Sequence, residues 1–210
     1  MRYDRIKRLL KDDFEKLQNA KVLLLGVGGI GGFCLDCLIR SGFKDVTIVD
    51  FDIFELSNQN RQIGSENVGF VKVERMKELY PTVTPIKEKI TPKWCEEFDF
   101  SSYDLVIDAI DDMPAKVAIA HKTHKKLISA TGGAKKLDPT KIELVSIWKT
   151  SGDPLAKKFR YELKKSGFKG DFTVAYSPEL PLCKDLGSFV GVTGAFGLTI
   201  CSAAVRKICS

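Results

Sequence analysis

Histidine is nearly absent from this chain, at 2 in 210 residues. His121 and His124 fall on one helix face (i, i+3) with no third ligand beside them, so a histidine-built metal site is not expected. Nor does the sequence offer a histidine–carboxylate or tyrosine–lysine pair to serve hydride transfer as acid and base. There are 6 cysteines but no secretory segment. The opening stretch, MRYDRIKRLLKDDFEKL, is charged and has no apolar core. A disulfide scaffold is therefore excluded, and a reducing cytoplasm is the expected location. A closed zinc site needs four thiolates. The chain has a single Cys-x-x-Cys pair, Cys34 and Cys37, and both read as helix residues. Low-complexity segments, internal repeats and linkers are missing. From Leu186 to Val205 there is no charge over 20 residues, the length of a membrane span. Gly187, Gly191, Gly194 and Gly197 point instead to a buried helix packed through small residues, with contact at a membrane surface left open.

What is present describes a globular chain. Hydrophobic residues make up 44% and charged residues 29%, values that exclude disorder. The length corresponds to roughly 1.4 average domains, and we read one domain with residues 1–133 as its core and 134–210 as a distinct C-terminal half. Net charge is +6, and between Lys135 and Lys169 lie 10 Lys/Arg against 4 Asp/Glu, an excess of 10 − 4 = +6. The rest of the chain is neutral. A basic patch in one segment suits an anionic partner such as nucleic acid, or is simply a solvated face.

Apolar runs at 21–26, 46–50, 105–108 and 127–131 read as buried strands, with 82–87 a further strand. Helices are expected over 4–17, 29–40, 69–80 and 114–126. Their alternation predicts an α/β, Rossmann-like, mainly parallel sheet with helices on both faces. The C-terminal half is less regular: strands at 142–147 and 172–176, a helix over 153–165 opened by Asp153-Pro154, and the Gly-rich terminal helix.

Between the first strand and the next helix stands Gly26-Val-Gly28-Gly29-Ile-Gly31. The first glycine permits a tight turn, the second lets backbone approach a phosphate, and the third lets helix and strand pack closely. Asp50, which lies 19 residues after Gly31 at the end of the second strand, is placed to meet ribose hydroxyls. NAD would satisfy these features. However, Arg61, with Asn60 and Gln62 beside it, and Lys72 add two fixed cations just after the ribose carboxylate. A diphosphate held by backbone amides does not require them, whereas a triphosphate does. Asp111-Asp112 follows the 105–108 strand at its carboxyl edge, and a carboxylate beside phosphates is a candidate Mg²⁺ ligand. Asp111 is alternatively a helix cap.

The segments Arg2-Tyr-Asp-Arg5, Gly26–Gly31, Asp50-Phe-Asp52, Leu56-Ser-Asn-Gln-Asn-Arg61-Gln62, Val68-Gly-Phe-Val-Lys72 and Ile107-Asp-Ala-Ile-Asp111 resemble the adenylating enzymes related to ubiquitin-activating enzymes. That resemblance implies ATP and Mg²⁺ as cofactors. Gly29 would sit by the phosphates and Asp50 would bind ribose. Gly26, Gly28, Gly31, Asp52, Asn58 and Gln62 would complete the nucleotide set. Arg61 and Lys72 would hold the triphosphate, and Asp111 would ligate Mg²⁺. Arg5 would enter the neighbouring subunit's site, making the working unit a homodimer. The implied reaction is carboxylate attack on the α-phosphate.

Members of that family that activate small sulfur-carrier proteins carry two Cys-x-x-Cys pairs, and this chain does not. Thr131-Gly-Gly-Ala134, Leu137–Ile142, Lys149–Ala156, Lys157-Lys-Phe-Arg160 and Tyr176-Ser-Pro-Glu179 are instead similar to the tRNA threonylcarbamoyladenosine dehydratase branch. Its members adenylate a threonylcarbamoyl carboxylate on tRNA and close it into a ring. tRNA is then the implied partner, and Lys157, Arg160 and Lys164, on one helical stripe, are candidate phosphate contacts. Carrier-protein activation and a non-catalytic nucleotide-sensing module remain alternatives. Cys183, in a segment that looks shortened, reads as a loop residue, with a sulfur-relay or desulfurase partner left open.

Overall fold

A computed structural model describes residues 2–210. Seven strands form one sheet in the order β3-β2-β1-β4-β5-β7-β6. They are β1 (Lys21–Leu25), β2 (Asp45–Val49), β3 (Thr84–Ile86), β4 (Leu105–Asp108), β5 (Leu127–Ala130), β6 (Glu143–Ser146) and β7 (Thr173–Tyr176). All neighbours run parallel except β6, which pairs antiparallel with β7. The expected α/β fold is thus observed, and the C-terminal half extends the same sheet.

The central strands are unbroken apolar runs because both their faces are covered. Val22 and Leu24 point into one core, shared with α2 (Phe14–Asn19), α3 (Gly31–Ser41), α4 (Lys72–Leu79) and α8 (Val190–Cys209). Leu23 and Leu25 point into the other, shared with α5 (Pro92–Glu97), α6 (Met113–Thr123) and α7 (Pro154–Lys165). Capping side chains set the starts of α6 and α7. Asp112 accepts from Ala115 N, and Asp153 accepts from Leu155 N and Ala156 N, each with a proline in the first turn.

Helix α8 is long and apolar enough to cross a membrane, yet half of its apolar stretch is buried in the protein. It packs on α3 through glycine: a Cβ on Gly197 would lie 2.5 Å from Ile30 O and 2.7 Å from Cys34 N. Small residues are therefore what bring the two helices together.

Three local expectations are corrected. The 4–17 segment is two helices, α1 (Asp4–Leu10) and α2, joined by a 3-10 turn, because Lys11 adopts a left-handed φ of 52°. Helix α4 starts at Lys72 rather than 69, since Gly69 has φ +88° and Val71 is extended. Helix α5, opened by Thr91 capping Trp94 N, is an addition to the expected elements. Its aromatic residues, Trp94 and Phe98, stack on each other with ring centroids 4.3 Å apart.

Candidate active site

Strand order reverses direction at β1, with β2 on one side and β4 on the other. Ligands of open α/β sheets bind at the carboxyl ends of such strands, and a cleft of about 560 Å³ opens there. The size falls within the usual range for small-molecule sites, roughly 300–1,000 Å³.

The glycine loop forms one wall. Gly26 has φ +86°, and a Cβ on it would stand 2.9 Å from Ala109 O. A Cβ on Gly31 would lie 1.9 Å from Gly26 O. The loop and the start of α3 therefore fit only without side chains at these points. Gly28 and Gly29 face the cleft, with Gln62 and Arg61 packed over them respectively. The N-terminus of an 11-residue helix thus points at the space a phosphate would fill.

Asp50, at the end of β2, accepts from Val27 N at 2.9 Å through one oxygen and from Asp52 N at 2.9 Å through the other. Its carboxylate ties the glycine loop to β2 while still lining the cleft. Lys72, the first residue of α4, is 5% exposed. A solvated helix face does not describe it: its ammonium meets Asp52 at 3.0 Å. Arg61 donates to Ser57 O and to Asn60 Oδ1, both at 2.8 Å, which aims its guanidinium along the cleft edge. Asn58 is buried and its Oδ1 accepts from Glu55 N, making it a brace for the loop that carries Arg61. Gln62 Oε1 is buried without a partner among the described residues.

Of the two adjacent aspartates, Asp112 is the helix cap. Asp111 faces the cleft, is exposed, and makes no hydrogen bond or ion pair among the described residues. A free carboxylate facing a phosphate site has the donor chemistry Mg²⁺ prefers, one carboxylate supplemented by phosphate oxygens and water. Asp50, Asp52, Asn58, Arg61, Gln62, Lys72, Asp111 and the glycine loop therefore converge on one cleft.

Arg5 is the exception. Tyr3 Oη donates to Ile39 O at 3.3 Å, near the C-terminal end of α3. That helix is about 16 Å long and its other end holds the glycine loop, so Arg5, exposed on α1, lies away from its own chain's cleft.

Sequence reasoning missed the opposite wall. Thr131 Oγ1 donates to Asp153 Oδ2 at 3.0 Å, and Lys136, itself buried, stands 3.8 Å from the same oxygen. Lys136 also donates to Ser177 O (2.9 Å) and Glu179 O (2.6 Å). Glu179 accepts in turn from Leu137 N and Asp138 N. Motifs separated by more than forty residues thus meet in one polar network behind Thr131 and Gly132, which line the cleft. Only their polar character against an apolar background hinted at this. A loop carrying Leu186 and Ser188 closes that side, with Asn60 Nδ2 donating to Ser188 O at 3.1 Å.

On α7, Lys157 is exposed and Lys164 sits 5.8 Å above the Trp148 ring. Arg160 is partly exposed, and one nitrogen of its guanidinium donates to Thr150 Oγ1. His121 and His124 pack edge-on against Phe168, and His121 bonds Ser166. Cys34 is buried in α3, Cys37 is partly buried beside Ser41, and Cys183 is exposed.

Comparison with known proteins agrees with this geometry. The chain is 37% identical over 183 residues to the tRNA threonylcarbamoyladenosine dehydratase of Bacillus subtilis, covering 82% of this chain and 72% of that one. The structure superposes on the E. coli tRNA N6-threonylcarbamoyladenosine dehydratase TcdA in complex with ATP at TM-score 0.91. That likeness has 31% identity and covers 99% of this chain and 93% of the other; the AMP complex gives the same values. An adenylyltransferase and sulfurtransferase of Aspergillus clavatus matches only 127 residues, 55% of this chain and 26% of its own length, at 35% identity. The ThiF family model matches residues 3–208, and the chain belongs to the ThiF family.

Proposed function

We infer that this protein is an ATP-dependent tRNA threonylcarbamoyladenosine dehydratase. The convergence of Arg61, Lys72 and the unpaired Asp111 on the cleft at the glycine loop supports the ATP chemistry. The likeness to tRNA threonylcarbamoyladenosine dehydratases over nearly the whole chain is the observation that carries the substrate. The redox-cofactor alternative does not require two fixed cations there, because its diphosphate is held by backbone amides.

The carboxylate of the threonylcarbamoyl group attacks the α-phosphorus of ATP. A P–O bond forms, the bond to the bridging oxygen breaks, and pyrophosphate leaves. An internal nucleophile of the same group then attacks the activated carbonyl carbon. AMP departs with the former carboxylate oxygen, a proton passes to solvent, and the net change is loss of water. No protein nucleophile is required.

The chain's residues position and stabilise. Amides of the glycine loop and the α3 N-terminus receive phosphate oxygens, and Asp50 takes ribose. Arg61 and Lys72 compensate charge at the α-phosphorus. For Lys72 this means exchanging part of its contact with Asp52, the half-exposed partner of the pair, for phosphate. Asp111 would hold Mg²⁺, which supplies additional charge neutralisation on the polyphosphate. Arg5 serves the site of a second copy in a homodimer. Lys157 and Lys164 contact tRNA phosphates.

The test is mass spectrometry of nucleosides from threonylcarbamoyladenosine-containing tRNA after incubation with ATP and Mg²⁺. The dehydrated nucleoside should form only with the protein and ATP together. Its absence, with pyrophosphate release dependent on a small protein ending in Gly-Gly, would replace this reading with carrier activation.

A further inference from the structure

Lys116 lies on the first turns of α6 with its side chain entirely buried, an unusual place for a charge unless every donor is used. All three are. The ammonium donates to Asp108 Oδ2 at 2.7 Å, to Ala130 O at 2.8 Å and to Ile110 O at 3.2 Å, with the Phe159 ring 5.5 Å away. Asp108 is buried as well; its Oδ2 also accepts from Ser129 Oγ at 2.7 Å, and its Oδ1 accepts from Ile110 N at 3.2 Å.

Ile110 is consequently held on both sides, its N–H by Asp108 and its carbonyl by Lys116. The next residue is Asp111. The same segment supports the glycine loop, because a Cβ on Gly26 would touch Ala109 O and Ile110 Cγ2 within 3.1 Å. Ala130, the third point of attachment, also lines the cleft. The pair sits directly behind the ligand surface without touching it.

We propose that Lys116, through Asp108, is a positioning residue for the adenylation site: it clamps the 109–111 segment so that the Asp111 carboxylate and the bed of the glycine loop keep a fixed spacing. This rests on the adenylating reading of the cleft. The clamp acts on the geometry of the metal-bearing carboxylate, so its loss should register in turnover and Mg²⁺ dependence more than in tRNA binding.

The experiment compares the full-length wild type with the double variant Asp108→Asn/Lys116→Met. This variant removes both buried charges at nearly constant volume, and so avoids the unpaired carboxylate that Lys116→Met alone would leave. We expect kcat for tRNA dehydration to fall about tenfold or more. The Mg²⁺ concentration for half-maximal rate should rise about tenfold, the scale of losing a ligand's outer support. KM for tRNA should stay within about twofold. A folded variant with kcat and Mg²⁺ midpoint within about twofold of wild type overturns the proposal. Failure of the double variant to fold also overturns it, because the pair would then be a requirement of the core. A wild type inactive on tRNA and also without pyrophosphate release in the presence of a small protein ending in Gly-Gly sinks the adenylating reading itself and this inference with it.

Discussion

Gly31 stands so close to Gly26 that a Cβ on its α-carbon would lie 1.9 Å from the Gly26 carbonyl oxygen. Backbone on backbone leaves neither side a flexible end to move. Gly31→Ala is expected to destabilise the fold by at least the ~1–3 kcal/mol typical of overpacking, and to abolish ATP binding. Urea unfolding and nucleotide titration check this. Gly29→Ala is the contrast, since its Cβ would press at 3.3 Å on the Arg61 side chain. That variant should fold and lose activity.

Arg61→Ala and Lys72→Ala should each reduce adenylation by about 10²–10³-fold, the scale of removing one preorganised charge from a transition state. Far-ultraviolet circular dichroism should stay unchanged. Lys72→Ala leaves Asp52 half exposed, so water can replace the missing cation. Turnover near wild type in both would refute the assignment of these cations to the phosphates.

How much of the site is legible in the sequence depends on range. The glycine loop, Asp50 and Asp111 announce themselves by their places just after β1, β2 and β4, and Arg61 and Lys72 by following Asp50 along the chain. Buried partners do not. Lys116 and Asp108 look like a helix lysine and a strand-end aspartate, and only the approach of β5 to β4 turns them into a sealed pair. Arg160 fits a basic stripe by periodicity, but the strand-to-helix connection brings Thr150 beneath it and redirects its guanidinium. The break at Lys11 is hidden because an otherwise regular apolar spacing continues across it.

The observed surroundings of α7 refine the expectation for tRNA. Lys157→Ala with Lys164→Ala should weaken tRNA binding and lower the salt slope by roughly 0.7–0.9 for each phosphate no longer neutralised. Arg160→Ala should act chiefly on stability, because it removes the hydrogen bond to Thr150. Binding measured across a salt series separates the two. An unchanged slope in the lysine variant would make that face a solvated one.

Asp153 joins the cap of α7 to the Thr131–Lys136 network. Asp153→Asn keeps a capping oxygen but removes the charge opposite Lys136. Asp153→Ala removes both, and should cost roughly 3–5 kcal/mol because the buried Lys136 loses its charge partner and α7 loses its cap. The aspartate-to-asparagine change should cost less. Equal losses for the two variants in denaturant unfolding would show that the charge alone matters.

Arg5 lies at the far end of α3 from its own glycine loop, so its role in the site depends on a second copy. Complementation tests this directly. Arg5→Ala leaves a complete cleft that lacks the incoming arginine. Lys72→Ala leaves a defective cleft but a normal Arg5. Each homodimer should be inactive. In a mixed dimer, the cleft of the Arg5→Ala subunit keeps Lys72 and receives Arg5 from its partner, while the other cleft lacks both. Random exchange makes about half the dimers mixed, each with one of two clefts working, so about a quarter of wild-type activity should return. Full activity of the Arg5→Ala homodimer would place Arg5 outside the active site, and no recovery after verified subunit exchange would rule out its entry into the partner's cleft.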